Sequence, residues 1–385
     1  MSEYQYYEFQ AIDRPLAERE MHELRSYSTR ATITATRFVN HYEWGSFKGS
    51  PSTWMEKYFD AFLYLANWGT HELVLRLPRQ VLDLDTAKRY CCGKAASARA
   101  KSGFVLLEFL SEDEEDGDWD DGSGWLSSLI PLRADLAAGD YRALYLAWLL
   151  CAQTGALKDH ATEPPVPAGL GNLTAPLKAL ADFLRIDDDL ITIAATRSPE
   201  AVEPSASGRE VEHWLAALPD AEKTRWLLRF ARGSEPHLRA EFLRRFRESC
   251  PTRPYRGSEA PRTVGELLEV AKQRAEERGR KEAERAAKER ARREQEAVEA
   301  RKRYFADLAQ REAQVWHEVE VLISTKQPGK YDMAVKLLGD LRELGLHQGR
   351  ADDFETRFLQ LCEEHAKKPS LIERLKKAGL TAKTW

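Results

Sequence analysis

The sequence predicts an α+β N-terminal domain followed by mostly α-helical regions, including one long charged helix and a C-terminal helical bundle. In the first 160 residues, short runs rich in aromatic and β-branched residues alternate with runs of helical spacing. Beyond residue 263 the apolar spacing is helical, with one interruption at Ala271–Arg303, which holds thirteen Lys or Arg and eight Glu. Val298 is the single large aliphatic residue of this stretch, so the stretch cannot bury a core of its own.

Composition sets the broad class of the protein. The chain has 385 residues, which suggests two or three domains, and 43% of them are hydrophobic. The net charge of -4 gives no bulk attraction to nucleic acid. The sequence has five Cys without a framework and no secretory segment. It also lacks a run of roughly 20 apolar residues, so we expect a cytoplasmic protein that does not enter a membrane.

Residues 1–160 are expected to form the α+β domain. Tyr4–Ile12 alternates as a strand does, and Asp13 stands at a helix N-cap position ahead of Pro15. Further strands are predicted at Ala31–Val39, Glu72–Leu77, Phe104–Leu110 and Leu129–Leu136, and further helices at Ser52–Asn67 and Asp140–Thr154. This order of elements leaves a split βαβ core as one arrangement of the sheet.

Four further regions follow this domain. Residues 161–207 are predicted to be a linker with one helix, and residues 208–250 a module of three short helices with apolar residues every three or four positions. Residues 263–305 form the long charged helix, and residues 306–385 the C-terminal bundle.

The long helix has a clear start but no clear end. Thr263 and Glu266 fit a capping box, and Gly279 does not forbid continuation. If the helix continues unbroken to Ser324, it spans roughly 90 Å at 1.5 Å per residue.

The charged helix has three interpretations. Glu residues precede bases by four positions, and each such pair contributes about 0.2–0.5 kcal/mol, which favours a free-standing rod. A homodimer through this helix is an alternative, although sustained apolar heptad positions are missing. A nucleic-acid arm is the third interpretation, because the stretch carries a charge of +5. Its candidate phosphate contacts are Arg278, Arg285, Arg292 and Arg293.

The next candidate is a calcium site in an acidic run. Within Glu112–Asp121, the residues Asp116, Asp118 and Asp120 match the first three ligand positions of an EF-hand loop. The required Gly is replaced by an Asp, and the required bidentate Glu is replaced by Ser127. We therefore expect a solvated acidic loop that is able to meet a basic surface.

Other motifs indicate no metal and no cofactor. Cys91 and Cys92 are adjacent instead of in CxxC spacing, which favours structural cysteines. The sequence contains no GxSxG, GxxxxGK[ST] or strand-borne GxGxxG motif. Aromatic residues are dense in the first domain, and Trp and Tyr favour partly wet interfaces. A binding or active site in that domain is expected near Trp44, Trp68, His71 and Arg76.

Two segments resemble known families. Lys330–Leu338 (KYDMAVKLL), Asp353–Leu359 (DFETRFL), His365–Leu371 (HAKKPSL) and Lys377–Leu380 (KAGL) are similar to the ends of bacterial proteins with a SWIM zinc finger. The CxC…CxH zinc ligands of that family are absent from this sequence, so the resemblance implies a helical adaptor tail without zinc. The start, Glu3–Leu16, resembles that of an uncharacterised bacterial family.

These observations favour a non-enzymatic bacterial scaffold or adaptor that binds protein partners through the charged helix and the helical tail. One alternative is an accessory nucleic-acid-binding protein of a multi-gene bacterial system, which would use the basic face of residues 272–303. A second alternative is an enzyme of unknown class with its site in the N-terminal domain.

Overall fold

The computed structural model describes residues 3–113, 119–200, 208–233, 235, 237–249 and 261–380. The chain divides into two compact units, Met1–Arg278 and Gly279–Trp385. The α+β class predicted from the sequence is confirmed, because a sheet occupies the N-terminal part and helices the rest.

The first unit contains a seven-stranded sheet. Its strands are β1 (Gln5–Gln10), β2 (Thr32–Ile33), β3 (Arg37–Tyr42), β4 (Ala61–Ala66), β5 (Thr70–Pro78), β6 (Ala96–Lys101) and β7 (Phe104–Glu112). The strand order is β2-β3-β1-β4-β5-β7-β6, and every one of these pairings is antiparallel. The split βαβ arrangement is present in this sheet: β1 and β2 both pair antiparallel with β3, so they run parallel to each other on either side of it, and the helix Glu18–Arg25 connects them in the chain.

Eight helices accompany the sheet in the described part of residues 3–200. They are α1 (Glu18–Arg25), α2 (Pro51–Lys57), α3 (Leu84–Lys88), α4 (Trp125–Leu129), α5 (Pro131–Ala137), α6 (Arg142–Gln153), α7 (Ala175–Leu184) and α8 (Asp188–Ala195). One sheet face carries Phe9 opposite Phe38 and Phe62, and it packs with Leu24 of α1 and Trp54 of α2. The opposite face packs its leucines against residues of α3 to α8.

The predicted helix Ser52–Asn67 is wrong in its second half. Helix α2 ends at Lys57, and Ala61–Ala66 is strand β4 at the centre of the sheet. Both faces of this strand are covered, so its residues are apolar without alternation. A short apolar run of this kind has no periodicity that separates a strand from a helix.

Two smaller predictions fail for local reasons. Leu129–Leu136 was expected as a strand, but α4 ends there and α5 begins at Pro131, which occupies the first helical position. Asp13 does not cap α1. That helix begins at Glu18, and the carboxylate of Glu20 accepts the backbone N–H of Ala17 at 2.8 Å.

The segment 161–207 contributes to the first core where it is described. Leu170 and the apolar residues of α7 and α8 lie in the same cluster as the sheet leucines. The three short helices expected next are confirmed as α9 (Gly208–Ala217), α10 (Asp220–Arg232) and α11 (Leu238–Ser249). Their shared core is aromatic, with Trp214 and Trp226 both edge-on to Phe242.

The long charged helix is α12 (Val264–Gln310). The predicted capping box is confirmed, because the N–H of Thr263 donates to the Glu266 carboxylate at 2.8 Å and the N–H of Glu266 donates to the Thr263 hydroxyl at 3.3 Å. The helix does not continue unbroken to Ser324, since Arg311 leaves helical geometry with φ -115° and ψ 21°. Neither Pro nor Gly stands there to explain the break.

The second unit is a helical bundle, as predicted. Beyond α12 it contains α13 (Glu312–Ser324), α14 (Pro328–His347), α15 (Ala351–Glu364) and α16 (Pro369–Lys377). Leu308 of α12 is buried in the same cluster as Trp316, Leu338 and Phe358. In the part of the chain that the structure describes, none of the helices has both the length and the apolar character needed to cross a membrane.

Candidate functional site

The four residues expected near a binding or active site occupy different environments. Trp44 follows β3 and is 76% exposed, and Trp68 in the turn between β4 and β5 is 43% exposed. His71 stacks on Phe183, and its Nδ1 lies 2.7 Å from the backbone oxygen of that residue. Arg76 is buried. Side chains alternate between faces along β5, so His71 and Arg76 lie on opposite sides of the sheet.

Arg76 belongs to a buried ionic network centred on Asp60. The Asp60 side chain is 1% exposed and accepts two bonds from Arg76, at 2.7 and 3.2 Å. Its other oxygen accepts the backbone N–H groups of Ile12 and Asp13 at 2.7 and 2.9 Å. The guanidinium of Arg133 lies 3.7 Å from the same carboxylate. This network joins the end of β1 to β4, β5 and α5.

Asp13 joins this network to the helical module. Both of its oxygens accept bonds from Arg133, at 2.8 and 2.6 Å, and its Oδ1 lies 2.7 Å from Nε2 of His237. Burial acts to raise the pKa of Asp13, but the bonds from His237 and Arg133 outweigh burial and hold that pKa at about 2. An Asp–His pair also orients catalytic bases. Here Arg133 binds the same carboxylate, so Asp13 is held between Arg133 and His237 beside α11.

A second polar cluster lies on the α1 side of the sheet. Tyr7, Tyr64 and Glu72 are direct cross-strand neighbours on β1, β4 and β5. The hydroxyl groups of both tyrosines donate to Oε1 of Gln5, at 2.8 and 3.3 Å. Glu108 of β7 is diagonal to Glu72, because it pairs with Val74. Burial, followed by the charge of Glu108, raises the pKa of Glu72 to about 7.

Replacing Glu72 with Gln is expected to stabilise the protein at pH 8 and to leave it unchanged at pH 4. The folded-state pKa lies above the unfolded value, so the wild type loses stability as pH rises from about 4.5 to about 7. The neutral amide avoids that loss, which amounts to about 2–3 kcal/mol. Thermal unfolding of both proteins at pH 4 and pH 8 measures the difference. Equal stabilities at pH 8 would contradict the prediction, and Glu112→Gln on the exposed end of β7 is the control.

The four predicted phosphate contacts of α12 differ in their partners and in their exposure. Arg278 donates to Asp189 at 2.7 Å, and this carboxylate, whose side chain is 5% exposed, also accepts a bond from Arg274. Arg292 and Arg293 lie 2.9 and 3.0 Å from a Glu289 oxygen within the helix. Arg285 is exposed. From residue 281 to residue 300 every side chain except that of Glu289 is exposed, so no face of this stretch is covered.

The acidic run Glu112–Asp121 is described only at its ends. Asp116 and Asp118 lie outside the described residues. Asp120 accepts the Trp125 indole N–H at 2.5 Å, and Asp121 accepts the N–H and the hydroxyl of Ser123 at 2.9 and 2.7 Å. Within the described ranges, no three His, Cys, Asp or Glu side chains are grouped as a metal ion requires.

Helix α10 presents an apolar surface that the sequence did not single out. Leu227 is 68% exposed, Leu228 53% and Phe230 45%, whereas Trp226 on the inner side is buried. The sequence predicted only that apolar residues of this module recur every three or four positions. Spacing alone did not reveal that only one side of α10 is covered.

Contacts between residues far apart in the chain could not be predicted from the sequence. Asp13 and His237 are 224 positions apart, and no local motif marks either of them. Compared with known proteins, the chain matches no family model, no curated protein and no solved structure.

Proposed function

We propose that the chain is a non-enzymatic bacterial adaptor of the cytoplasm, and that it binds an acidic amphipathic helix of a protein partner through α10. The observation that carries this proposal is the exposed apolar face formed by Leu227, Leu228 and Phe230. Ala221 and Ala231 extend this face with small exposed side chains. We call these five residues the α10 face.

The α10 face has the chemistry of a docking surface. Adjacent exposed leucines on one helix form a contiguous apolar patch, which marks an interaction site more often than scattered residues do. Burying a leucine side chain contributes about 1.5–3 kcal/mol. An amphipathic helix is a common occupant of such surfaces, because its own apolar residues recur every three or four positions.

The basic residues that border the α10 face favour an acidic partner. Arg225 and Arg232 are exposed along one border of the α10 face, whereas Lys223 on the other side is paired with Asp220 at 3.2 Å. Arg229 is engaged with Glu235 and Glu241, at 2.5 and 2.6 Å. A helix with glutamates beside its apolar stripe therefore meets opposite charge at the rim, which raises specificity and the association rate.

The ion pairs of the charged helix favour a solvated element over an arm that binds nucleic acid. Asp189 is already paired with Arg274 and Arg278, and Glu289 lies against Arg292 and Arg293. Phosphate contacts would have to displace these carboxylates. A homodimer through the exposed stretch would have alanines and Val298 for its seam, which is weaker than the apolar heptads of coiled coils. The resemblance of the tail to the ends of SWIM proteins stays a prediction and agrees with an adaptor.

A designed peptide pair tests the proposal. A fluorescein-labelled helical peptide with leucines on one face and glutamates beside them is expected to bind the full-length protein in an anisotropy titration. Its twin with lysines in place of the glutamates is expected to bind at least about tenfold more weakly, a difference of 1.4 kcal/mol. Binding of the acidic peptide should weaken with added salt, because exposed charges are screened.

Paired substitutions locate the site. The double variant Leu227→Ala, Leu228→Ala is expected to lose at least about tenfold in affinity. Val298→Ala removes an exposed aliphatic of α12 and should leave the affinity unchanged. Equal binding by the double variant would overturn the proposal. Self-association of the wild type that the double variant abolishes would assign the α10 face to a second copy instead.

A further inference from the structure

An aromatic cluster lies at the end of the sheet where β1 begins. Tyr4 stands directly before β1, and the centre of its ring lies 5.0 Å from that of Trp119 and 6.2 Å from that of His41 in β3. We call these three residues the aromatic cluster. We propose that the aromatic cluster and the carboxylates around it bind an arginine side chain in a basic segment of a protein partner. This site is independent of the α10 face and of the acidic helix proposed to bind there.

Hydrogen bonds hold Tyr4 at the centre of the aromatic cluster. Its backbone N–H donates to Oδ1 of Asn67 at 2.9 Å, and its carbonyl accepts the backbone N–H of Asn67 at 3.0 Å. The Tyr4 hydroxyl donates to the backbone carbonyl of Asp121 at 2.9 Å. Because the ring is fixed before a ligand arrives, little ordering cost falls on binding.

The turn that follows Trp119 packs directly on β1. The Asp120 carboxylate accepts the backbone N–H of Gly122 at 2.7 Å and the indole N–H of Trp125 at 2.5 Å. Gly122 has a φ of 77°, and a Cβ atom added to it would lie 2.5 Å from the Tyr6 ring. Trp119 itself is 67% exposed. Its indole is therefore held beside Tyr4 and is still open to a ligand.

Carboxylates give the aromatic cluster a negative border. Asp120 and Asp121 follow Trp119 in the chain, and Glu43 follows β3. Burial raises the pKa of the Tyr4 hydroxyl first, and the charges of these three carboxylates raise it further. The described hydrogen bonds to Asp120 and Asp121 come from neutral N–H and O–H groups, so the negative charges remain. A cation is therefore attracted to the aromatic cluster, and an anion is repelled.

The spacing of the rings favours arginine over other cations. Carbon atoms in contact are about 3.5–4.0 Å apart, so a group enclosed between two rings needs their centres about 7 Å apart. Tyr4 is closer than this to both Trp119 and His41, so the aromatic cluster offers an open ring face and does not enclose an ammonium group. A guanidinium is planar, and it stacks on an aromatic face while its N–H groups bind a carboxylate.

The same carboxylates disfavour other ligands of aromatic surfaces. Single-stranded nucleic acid stacks its bases on exposed rings, but its phosphates need Lys or Arg beside those rings. Here Asp120, Asp121 and Glu43 border the rings instead. An uncharged sugar or a proline-rich segment would gain nothing from these charges. Charge complementarity therefore indicates a basic protein segment.

Two peptides of equal charge test the proposal. A fluorescein-labelled peptide of alternating glycine and arginine is titrated with the full-length protein, and its fluorescence anisotropy is measured. We expect it to bind at least about threefold more tightly than a twin with lysine at the same positions, because a lysine ammonium does not stack in a plane. Equal affinity for the two peptides would overturn the proposal, since bulk negative charge alone attracts both.

Substitutions at exposed positions locate the site. Trp119→Ala is expected to weaken binding of the arginine peptide at least about threefold and to remove its advantage over the lysine twin. The matched control is Trp44→Ala, because Trp44 is 76% exposed. Glu43→Gln should weaken binding of both peptides, whereas Glu18→Gln on the exposed side of α1 should not.

Two results with these variants would contradict the proposal. One is unchanged binding of the arginine peptide by Trp119→Ala, and the other is an equal loss in Trp44→Ala. Circular dichroism checks that each variant is folded, and the comparison of the two peptides on the wild type stands if a variant fails to fold. The double variant Leu227→Ala, Leu228→Ala should bind the arginine peptide like the wild type, which separates this site from the α10 face.

Discussion

Replacing Asp60 with Asn is expected to lower the local free energy of unfolding around β4 and β5 by about 3–5 kcal/mol. The Asp60 side chain is 1% exposed and that of Arg76 is 9% exposed, so the substitution leaves a buried guanidinium without its counter-charge. Restoring water to Arg76 requires the sheet to open. The amide also offers one acceptor where the carboxylate holds the N–H groups of Ile12 and Asp13 with one oxygen and Arg76 with the other.

Hydrogen exchange of the full-length protein measures this effect. Peptides from β4 and β5 should exchange at least about a hundredfold faster in the variant, since each 1.4 kcal/mol corresponds to tenfold. The matched control is Glu23→Gln, which breaks the exposed contact between Glu23 and Lys57 at 2.8 Å. Exposed pairs contribute little, so this control should exchange like the wild type. If peptides from β4 and β5 exchange at the same rate in both variants, burial of the Asp60 network does not stabilise the fold and the prediction is wrong.

Replacing Glu163 with Gln is expected to have a destabilising effect of similar size, about 3–5 kcal/mol. The Glu163 side chain is 3% exposed, accepts the hydroxyl of Tyr145, and accepts two bonds from Arg262 at 2.9 and 2.8 Å. The backbone N–H of Glu163 also donates to the carbonyl of Arg262 at 2.9 Å. The substitution leaves the guanidinium of Arg262, whose side chain is 11% exposed, without its counter-charge directly before α12 begins.

Scanning calorimetry of the full-length protein checks this second prediction. The transition of the first unit should fall by on the order of 10 °C, since a protein of this size loses about 2–4 °C per kcal/mol. Glu112→Gln serves as the control, because it removes an exposed contact with Lys94 at 2.6 Å, which is shorter than the two bonds between Arg262 and Glu163. An equal fall in both variants would mean that distance, not burial, sets the contribution of an ion pair in this fold.

Helices were easier to predict from the sequence than strands, for a physical reason. A helix such as α6 shows its 3.6-residue period over three turns, and the sequence predicted it within two residues at either end. Strand β4 is six residues long and apolar on both faces, so it gave no period to detect. Strand β6, with the sequence ASARAK, lacks the branched and aromatic residues that mark strands, and it was missed.

Contacts that define the candidate sites depend on the assembled sheet. Glu72 and Glu108 become neighbours only because β5 pairs with β7 in one register. The capping box at Thr263 was predictable because all its atoms lie within four residues. Contacts between residues close together in the chain were thus predictable from the sequence, and contacts between distant residues were not.

The two strands at the ends of the sheet limit how copies of this protein associate. An uncapped edge strand is a template for adding another chain, and aggregation proceeds through such edges. One edge here is β2, which is two residues long. The other is β6, where Arg99 and Lys101 carry charges at alternate positions and both contact Glu56. A second sheet therefore finds either too few backbone groups or a charged border, which protects the fold against growth into fibres.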